Sequence, residues 1–176
     1  MRKKRLFIAL GIFVIVGCVT VNLSQKTPLP SDTIINPPDS SLPDEIKALS
    51  GKWAGKWNSP FGWDCAVYVE KLDGGFAQVI YSWGAYTTHR ASCHCTANWT
   101  RVRDAKVEYS EGKATLKFMT PNLQYLQQRD SPHIVKGSGG RYTFSFDLEM
   151  KEPDIMNGHF ISGKGSNLYI KMKRID

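Results

Sequence analysis

From about residue 45 onward, apolar and polar residues alternate in short runs that glycine-containing turns interrupt. The clearest run is 142–150, where large apolar side chains occupy every second position between Thr, Ser, Asp and Glu. A period of two predicts a half-buried β-strand, because successive side chains of a strand point to opposite faces. Glycines in 73–75, 110–112 and 163–165 predict tight turns between pairs of such strands. The pattern therefore predicts three hairpins.

About eight short strands follow from this pattern, nearly all of them neighbours along the chain, with one short helix possible in 43–49. Closing such a meander into a barrel removes the unpaired strand edges. We therefore expect an all-β domain over residues 45–176, a single antiparallel up-and-down β-barrel. A two-sheet β-sandwich is the alternative, because alternation alone does not establish closure.

The N-terminus follows a different pattern, in which the bases Arg2–Arg5 precede an unbroken apolar or glycine run, Leu6–Val16. A basic cluster before an apolar run is typical of an export signal. Residues 15–18, Ile-Val-Gly-Cys, resemble a bacterial lipobox. The resemblance implies that residues 1–17 are removed, that Cys18 is lipidated and that the domain lies outside the cytoplasm. The alternative is an uncleaved anchor, since the 18 residues Leu6–Leu23 are just long enough to span a bilayer.

Residues 1–18 are thus predicted to be a signal peptide or membrane anchor in a bacterial cell envelope. Val19 after Cys18 resembles lipoproteins sorted to the outer membrane, which implies a periplasm-facing location in a host with two membranes. Residues 19–44 contain five prolines among Ser and Asp, a composition typical of an extended linker. At ~3.1 Å per residue this linker would act as a spacer of several nanometres.

More than half of the formal charge of +7 comes from the N-terminus. Arg2–Arg5 carry four of the 23 bases, and the remaining 19 bases against 16 acids leave a net charge of +3. The remaining chain contains no long basic run, so we expect no nucleic-acid partner.

A second resemblance lies at the first predicted strand, where Gly51-Lys52-Trp53 matches the Gly-x-Trp signature of lipocalins, fatty-acid-binding proteins and avidins. In those families the Trp plugs the closed end of the barrel beneath a basic residue of the last strand. The resemblance implies that Gly51 and Trp53 open the barrel and that Arg174 covers Trp53. It also implies a small apolar or amphipathic ligand. Four inward aromatic residues would either line the cavity or fill it: Tyr81, Trp83, Phe144 and Phe146.

Three cysteines lie beyond the N-terminal segment: Cys65, Cys93 and Cys95. An exported protein meets oxidising conditions, which favours a disulfide from Cys65 to Cys93 or Cys95. The less favoured alternative is a zinc or copper(I) site on Cys93-His94-Cys95, completed by Cys65 or His89. We expect no cofactor.

These observations leave three functions open, of which a membrane-anchored binding protein without catalysis is favoured. The chain contains no recognisable catalytic motif. The second hypothesis is an envelope protein that binds or inhibits another protein through the 84–98 loop. The third is metal handling by the Cys-His-Cys segment.

Overall fold

The computed structural model describes residues 27–58, 62–87, 94–95, 97–120, 134–135, 142–162 and 167–175. Its elements are α1 (Asp44–Lys47), β1 (Gly51–Trp57), β2 (Asp64–Asp73), β3 (Phe76–Trp83), β4 (Tyr86–Thr87), β5 (His94–Cys95), β6 (Asn98–Ser110), β7 (Lys113–Thr120), β8 (Ile134–Val135), β9 (Tyr142–Glu149), β10 (Ile155–Ser162) and β11 (Asn167–Ile175).

Eight of these strands form one closed antiparallel barrel, in the order β1, β2, β3, β6, β7, β9, β10 and β11, with β11 paired back to β1. Every long strand pairs with the long strands before and after it in sequence, so the up-and-down barrel prediction is confirmed. The sandwich alternative is wrong, because the β3–β6 and β11–β1 pairings leave the barrel no free edge. Of the short strands, β8 pairs with β6, and β4 pairs with β5 in a separate two-stranded sheet.

The barrel wall separates an apolar interior from a mostly polar exterior by the period-two pattern. In β9, Phe144, Phe146 and Leu148 are buried and the residues between them are less so. Strand β6 begins at Asn98, eight residues before the sequence-predicted strand at Lys106. The register of its pairing with β3 shifts between Ala77 and Val79, and this irregularity interrupts the alternation that would have revealed the strand.

The two ends of the barrel differ. At the closed end, α1 precedes β1 and contributes Ile46 to the core, next to Leu49. The connections at this end are short, as at 74–75 and 111–112. At the other end, which we call the mouth, β1, β3, β7 and β10 finish, and the longer connections 58–63, 84–97, 121–141 and 163–166 begin and end there.

Residues 27–42, which we call the strap, lie against the outside of the wall. The Ser82 hydroxyl donates to the Pro28 carbonyl over 2.6 Å, and the backbone N–H of Asn36 donates to the backbone carbonyl of Glu70 over 2.8 Å. Ile35 packs on an outer apolar cluster that includes Ala54, Ala66, Tyr68 and Ile80. The described part of the sequence-predicted linker is therefore docked on the barrel rather than standing away from it.

The predicted signal or anchor at 1–18, including Cys18, lies outside the described residues. Across the part of the chain that the structure describes, no helix has the length and apolar character needed to cross a bilayer.

Candidate functional site

The closed end is built around Trp53 and Arg174, which face each other in the β1–β11 register. The guanidinium carbon of Arg174 lies 4.2 Å from the Trp53 ring centre. The indole Nε1 of Trp53 donates to the Leu49 carbonyl over 3.0 Å, so the fully buried ring leaves no polar atom unpaired. The contact has the form that the lipocalin-type resemblance implies.

Gly51 leaves room for the Arg174 guanidinium that covers the Trp53 ring. Its φ of +116° is one that residues with a side chain rarely adopt, and a Cβ there would lie 2.8 Å from Nη1 of Arg174. The Gly of the Gly-x-Trp motif is thus required twice, once for its backbone angle and once for the approach of the guanidinium.

The four aromatic residues predicted to meet a ligand all lie fully buried inside the barrel. They pack on one another, with ring centres 4.5 Å apart for Tyr81 and Phe144, 5.8 Å for Tyr81 and Trp83, and 6.3 Å for Phe144 and Phe146. These contacts fill the middle of the barrel. A ligand inside the barrel would therefore have to lie on the mouth side of this layer.

Trp57, not selected from the sequence as a ligand-binding candidate, is the centre of the layer. Its ring contacts Trp63, Phe144, Phe146 and Phe160 at centre-to-centre distances of 5.9–6.3 Å. The sequence contains a signal for this role, because Gly55-Lys56-Trp57 repeats the Gly-x-Trp pattern and places Trp57 four residues after Trp53. In a strand, that spacing places both side chains on the same face.

A small polar cluster lies within this apolar layer. The Trp57 indole Nε1 donates to the Tyr81 hydroxyl over 3.3 Å, and the Tyr81 hydroxyl in turn hydrogen-bonds Cys65. Complete burial raises the pKa of the Cys65 thiol to about 12 and holds the pKa of Tyr81 well above its ordinary value. Both groups are therefore neutral at physiological pH.

Trp83 differs from Trp53 and Trp57 in the state of its indole N–H. Its Nε1 is buried and has no hydrogen-bond partner within the part of the chain that the structure describes. Trp83 is the last residue of β3, at the mouth. An unpaired buried donor costs about 1–3 kcal/mol, which an acceptor brought by another molecule would offset.

The structure has no disulfide at Cys65, the residue that the sequence predicted to pair with Cys93 or Cys95; Cys65 is a free thiol in the barrel interior. It shares the inward face of β2 with Val67 and Val69, where the Tyr81 hydroxyl meets it. Because the side chains on this face point into the barrel, the alternation in the sequence indicates that a cysteine in a loop would not contact Cys65. Cys93 lies outside the described residues, as does the Cys95 side chain.

The predicted Cys-His-Cys segment is described only in part. The backbone of His94 and Cys95 forms β5, which pairs with Thr87 and Tyr86 of β4. Their side chains, together with Cys93 and His89, lie outside the described residues. Elsewhere, the described side chains include no group of three potential metal ligands.

Searches for this chain among protein-family models and among curated protein sequences found no match.

Proposed function

We propose that this chain is a membrane-anchored, extracytoplasmic binding protein that holds a small amphipathic molecule at the mouth of its barrel, without catalysis. The observation that carries the proposal is the buried, unpaired indole N–H of Trp83. Trp83 belongs to the aromatic layer and is the mouth-end residue of β3, where a ligand would supply the missing acceptor.

The chemistry of the interior favours an uncharged head group. No Lys, Arg or His side chain is buried among the described residues, so a carboxylate beside Trp83 would find no buried cation among them. An isolated charge in such surroundings is strongly unfavourable, whereas an ester or amide carbonyl accepts one hydrogen bond at little cost. The proposed ligand therefore has a neutral carbonyl head and an acyl tail.

The aromatic rings near the mouth suit the apolar part of such a molecule. Tyr142 and Phe160 lie 5.1 Å apart between ring centres, and the partly buried Leu168 packs against the same core. Apolar contact with these side chains would contribute roughly 25 cal/mol for each Å² of ligand surface removed from water.

The test is a binding titration of the full chain in lipid nanodiscs with monooctanoylglycerol, followed by tryptophan fluorescence, with empty nanodiscs as the blank. We expect saturable binding, and weaker binding of octanoate at pH 8. The Trp83→Phe variant should bind about five- to tenfold more weakly, the value of one neutral hydrogen bond. Trp99→Phe, on the outside of the wall, is the matched control and should bind normally. Equal affinities of the wild type and Trp83→Phe would overturn the role of Trp83.

The anchoring part of the proposal has its own test. Intact-mass analysis of the protein from its host envelope should find an acylated N-terminus at Cys18. An N-terminus at Met1 or Arg2 would instead establish the uncleaved helix.

Binding of an envelope protein through residues 84–98 is the second candidate function. It is supported by the backbone pairing of Tyr86 with Cys95 and of Thr87 with His94 within this connection. Loss of a specific envelope partner on deletion of residues 85–92, with monooctanoylglycerol binding absent from the wild type, would favour it over the lipid proposal.

A further inference from the structure

The strap has a defined direction along the barrel. Its first described residues are at the mouth end, where Pro28 accepts a hydrogen bond from Ser82, the residue before Trp83. Asn36 lies further along, at Glu70, and Leu42 and Asp39 line a groove beside the β2–β3 turn at the closed end. The chain therefore approaches the barrel at the mouth and runs toward the closed end before it enters β1.

An ion-pair cluster fixes the strap in this position. The Arg101 guanidinium binds Asp32 of the strap through contacts of 2.9 and 3.0 Å, and binds Glu70 of β2 through contacts of 2.9 and 3.1 Å. Gln78 donates a further hydrogen bond to Glu70 over 2.8 Å. Both carboxylates are held in two-point contacts, a geometry that favours one arrangement of the three side chains.

The docked strap shortens the path between the anchor and the barrel. Only eight residues, 19–26, lie between Cys18 and Thr27. Fully extended, they span roughly 30 Å, whereas a free linker up to residue 44 would span roughly 90 Å. The mouth end of the strap is therefore held close to the bilayer.

The charge at the closed end supports the same orientation. The connections at the closed end and the adjoining 39–50 segment contain six acids and two bases. An anionic bilayer repels acids, which favours an orientation with the closed end away from the bilayer.

We infer that the mouth of the barrel faces the bilayer that holds the N-terminus, so that a lipid-like ligand passes between bilayer and barrel without crossing the aqueous compartment. This inference rests on the proposed anchoring and names the membrane as the source of the ligand.

The orientation can be measured without any ligand. The full chain is reconstituted in phosphatidylethanolamine and phosphatidylglycerol vesicles that contain lipids with a nitroxide on the head group. A fluorophore is attached through an azido amino acid at Ile161, near the mouth end of β10, or at Met150, at the closed end. These two side chains are 44% and 38% exposed, so the labels are matched.

We expect several-fold stronger quenching of the label at position 161 than at position 150. The difference should diminish in Arg101→Met/Glu70→Gln, which releases Asp32 without leaving a buried carboxylate. Equal quenching, or stronger quenching at position 150, would overturn the inference. Such a result, with monooctanoylglycerol binding intact, would leave the proposed function standing. Failure of the protein to float with the vesicles would overturn the anchoring on which the inference rests.

Discussion

The Arg174 guanidinium covers the Trp53 ring and donates at the same time to the carbonyls of Ala48 over 2.6 Å and Ser50 over 2.7 Å. One side chain on the last strand thus joins the first strand to the segment that closes the barrel. Arg174→Met should lower the free energy of unfolding by about 2–3 kcal/mol, since it removes a cation–π contact and charge-assisted hydrogen bonds. Arg174→Lys keeps the charge but loses the planar guanidinium with its several N–H donors. Its free energy of unfolding should lie between those of Arg174→Met and the wild type. Urea unfolding would measure both, and equal stability of all three proteins would contradict this role.

The Cys65 thiol should be inert in the folded protein, because burial raises its pKa to about 12 and excludes reagents. Treating the full chain with iodoacetamide and mapping its peptides should find Cys65 unmodified under native conditions. The same peptide should be modified in denaturant without a reductant. A requirement for reductant would mean that Cys65 forms a disulfide after all.

The Arg101–Glu70 ion pair should contribute more to stability than exposed ion pairs such as Lys117–Glu108 do. The side chains of Arg101 and Glu70 are only 12% and 3% exposed. Arg101→Met leaves the Glu70 carboxylate buried without its cation and should lower the free energy of unfolding by about 3 kcal/mol. Adding Glu70→Gln should recover part of this loss, because a neutral amide is less costly to bury. A double variant no more stable than Arg101→Met would contradict the explanation.

Docking of the strap should weaken in acid. The hydrogen bond from Arg101 lowers the pKa of Asp32 below its ordinary value. A lowered folded pKa means that the stabilisation is present above the unfolded pKa of about 3.9 and is lost as the pH falls through the folded pKa. Carboxyl NMR should therefore find Asp32 titrating at lower pH in the wild type than in Arg101→Met. Identical titration curves would show that the pair does not form in solution.

Much of the barrel follows from local pattern, because period-two alternation and glycine turns are properties of neighbouring residues. Tyr142–Glu149 and the three hairpins are recognisable for this reason. The first half of β6 was missed because its register shift with β3 breaks the alternation. The Trp53–Arg174 contact was expected only through the family resemblance, since no local pattern joins two residues so far apart.

The strap shows where sequence reasoning fails. Five prolines predict an extended chain, but docking depends on partners far away in sequence, such as Ser82 for Pro28, 54 residues apart. The unpaired N–H of Trp83 is equally non-local, because it depends on which acceptors surround the ring after folding. The predicted Cys65 disulfide rests on the oxidising compartment, whereas in the structure Cys65 is a free thiol on the inward face that it shares with Val67 and Val69.

The most direct test of ligand binding at the mouth is the indole NMR spectrum of the full chain, ¹⁵N-labelled at its five tryptophans and held in nanodiscs. Loss of one signal in Trp83→Phe and of another in Trp53→Phe assigns the two resonances that matter. On addition of monooctanoylglycerol, the Trp83 indole proton should move downfield as it gains an acceptor. The Trp53 proton, already bonded to Leu49 at the closed end, should stay in place. An unchanged Trp83 signal at saturating ligand, or an equal shift of Trp53, would contradict the account.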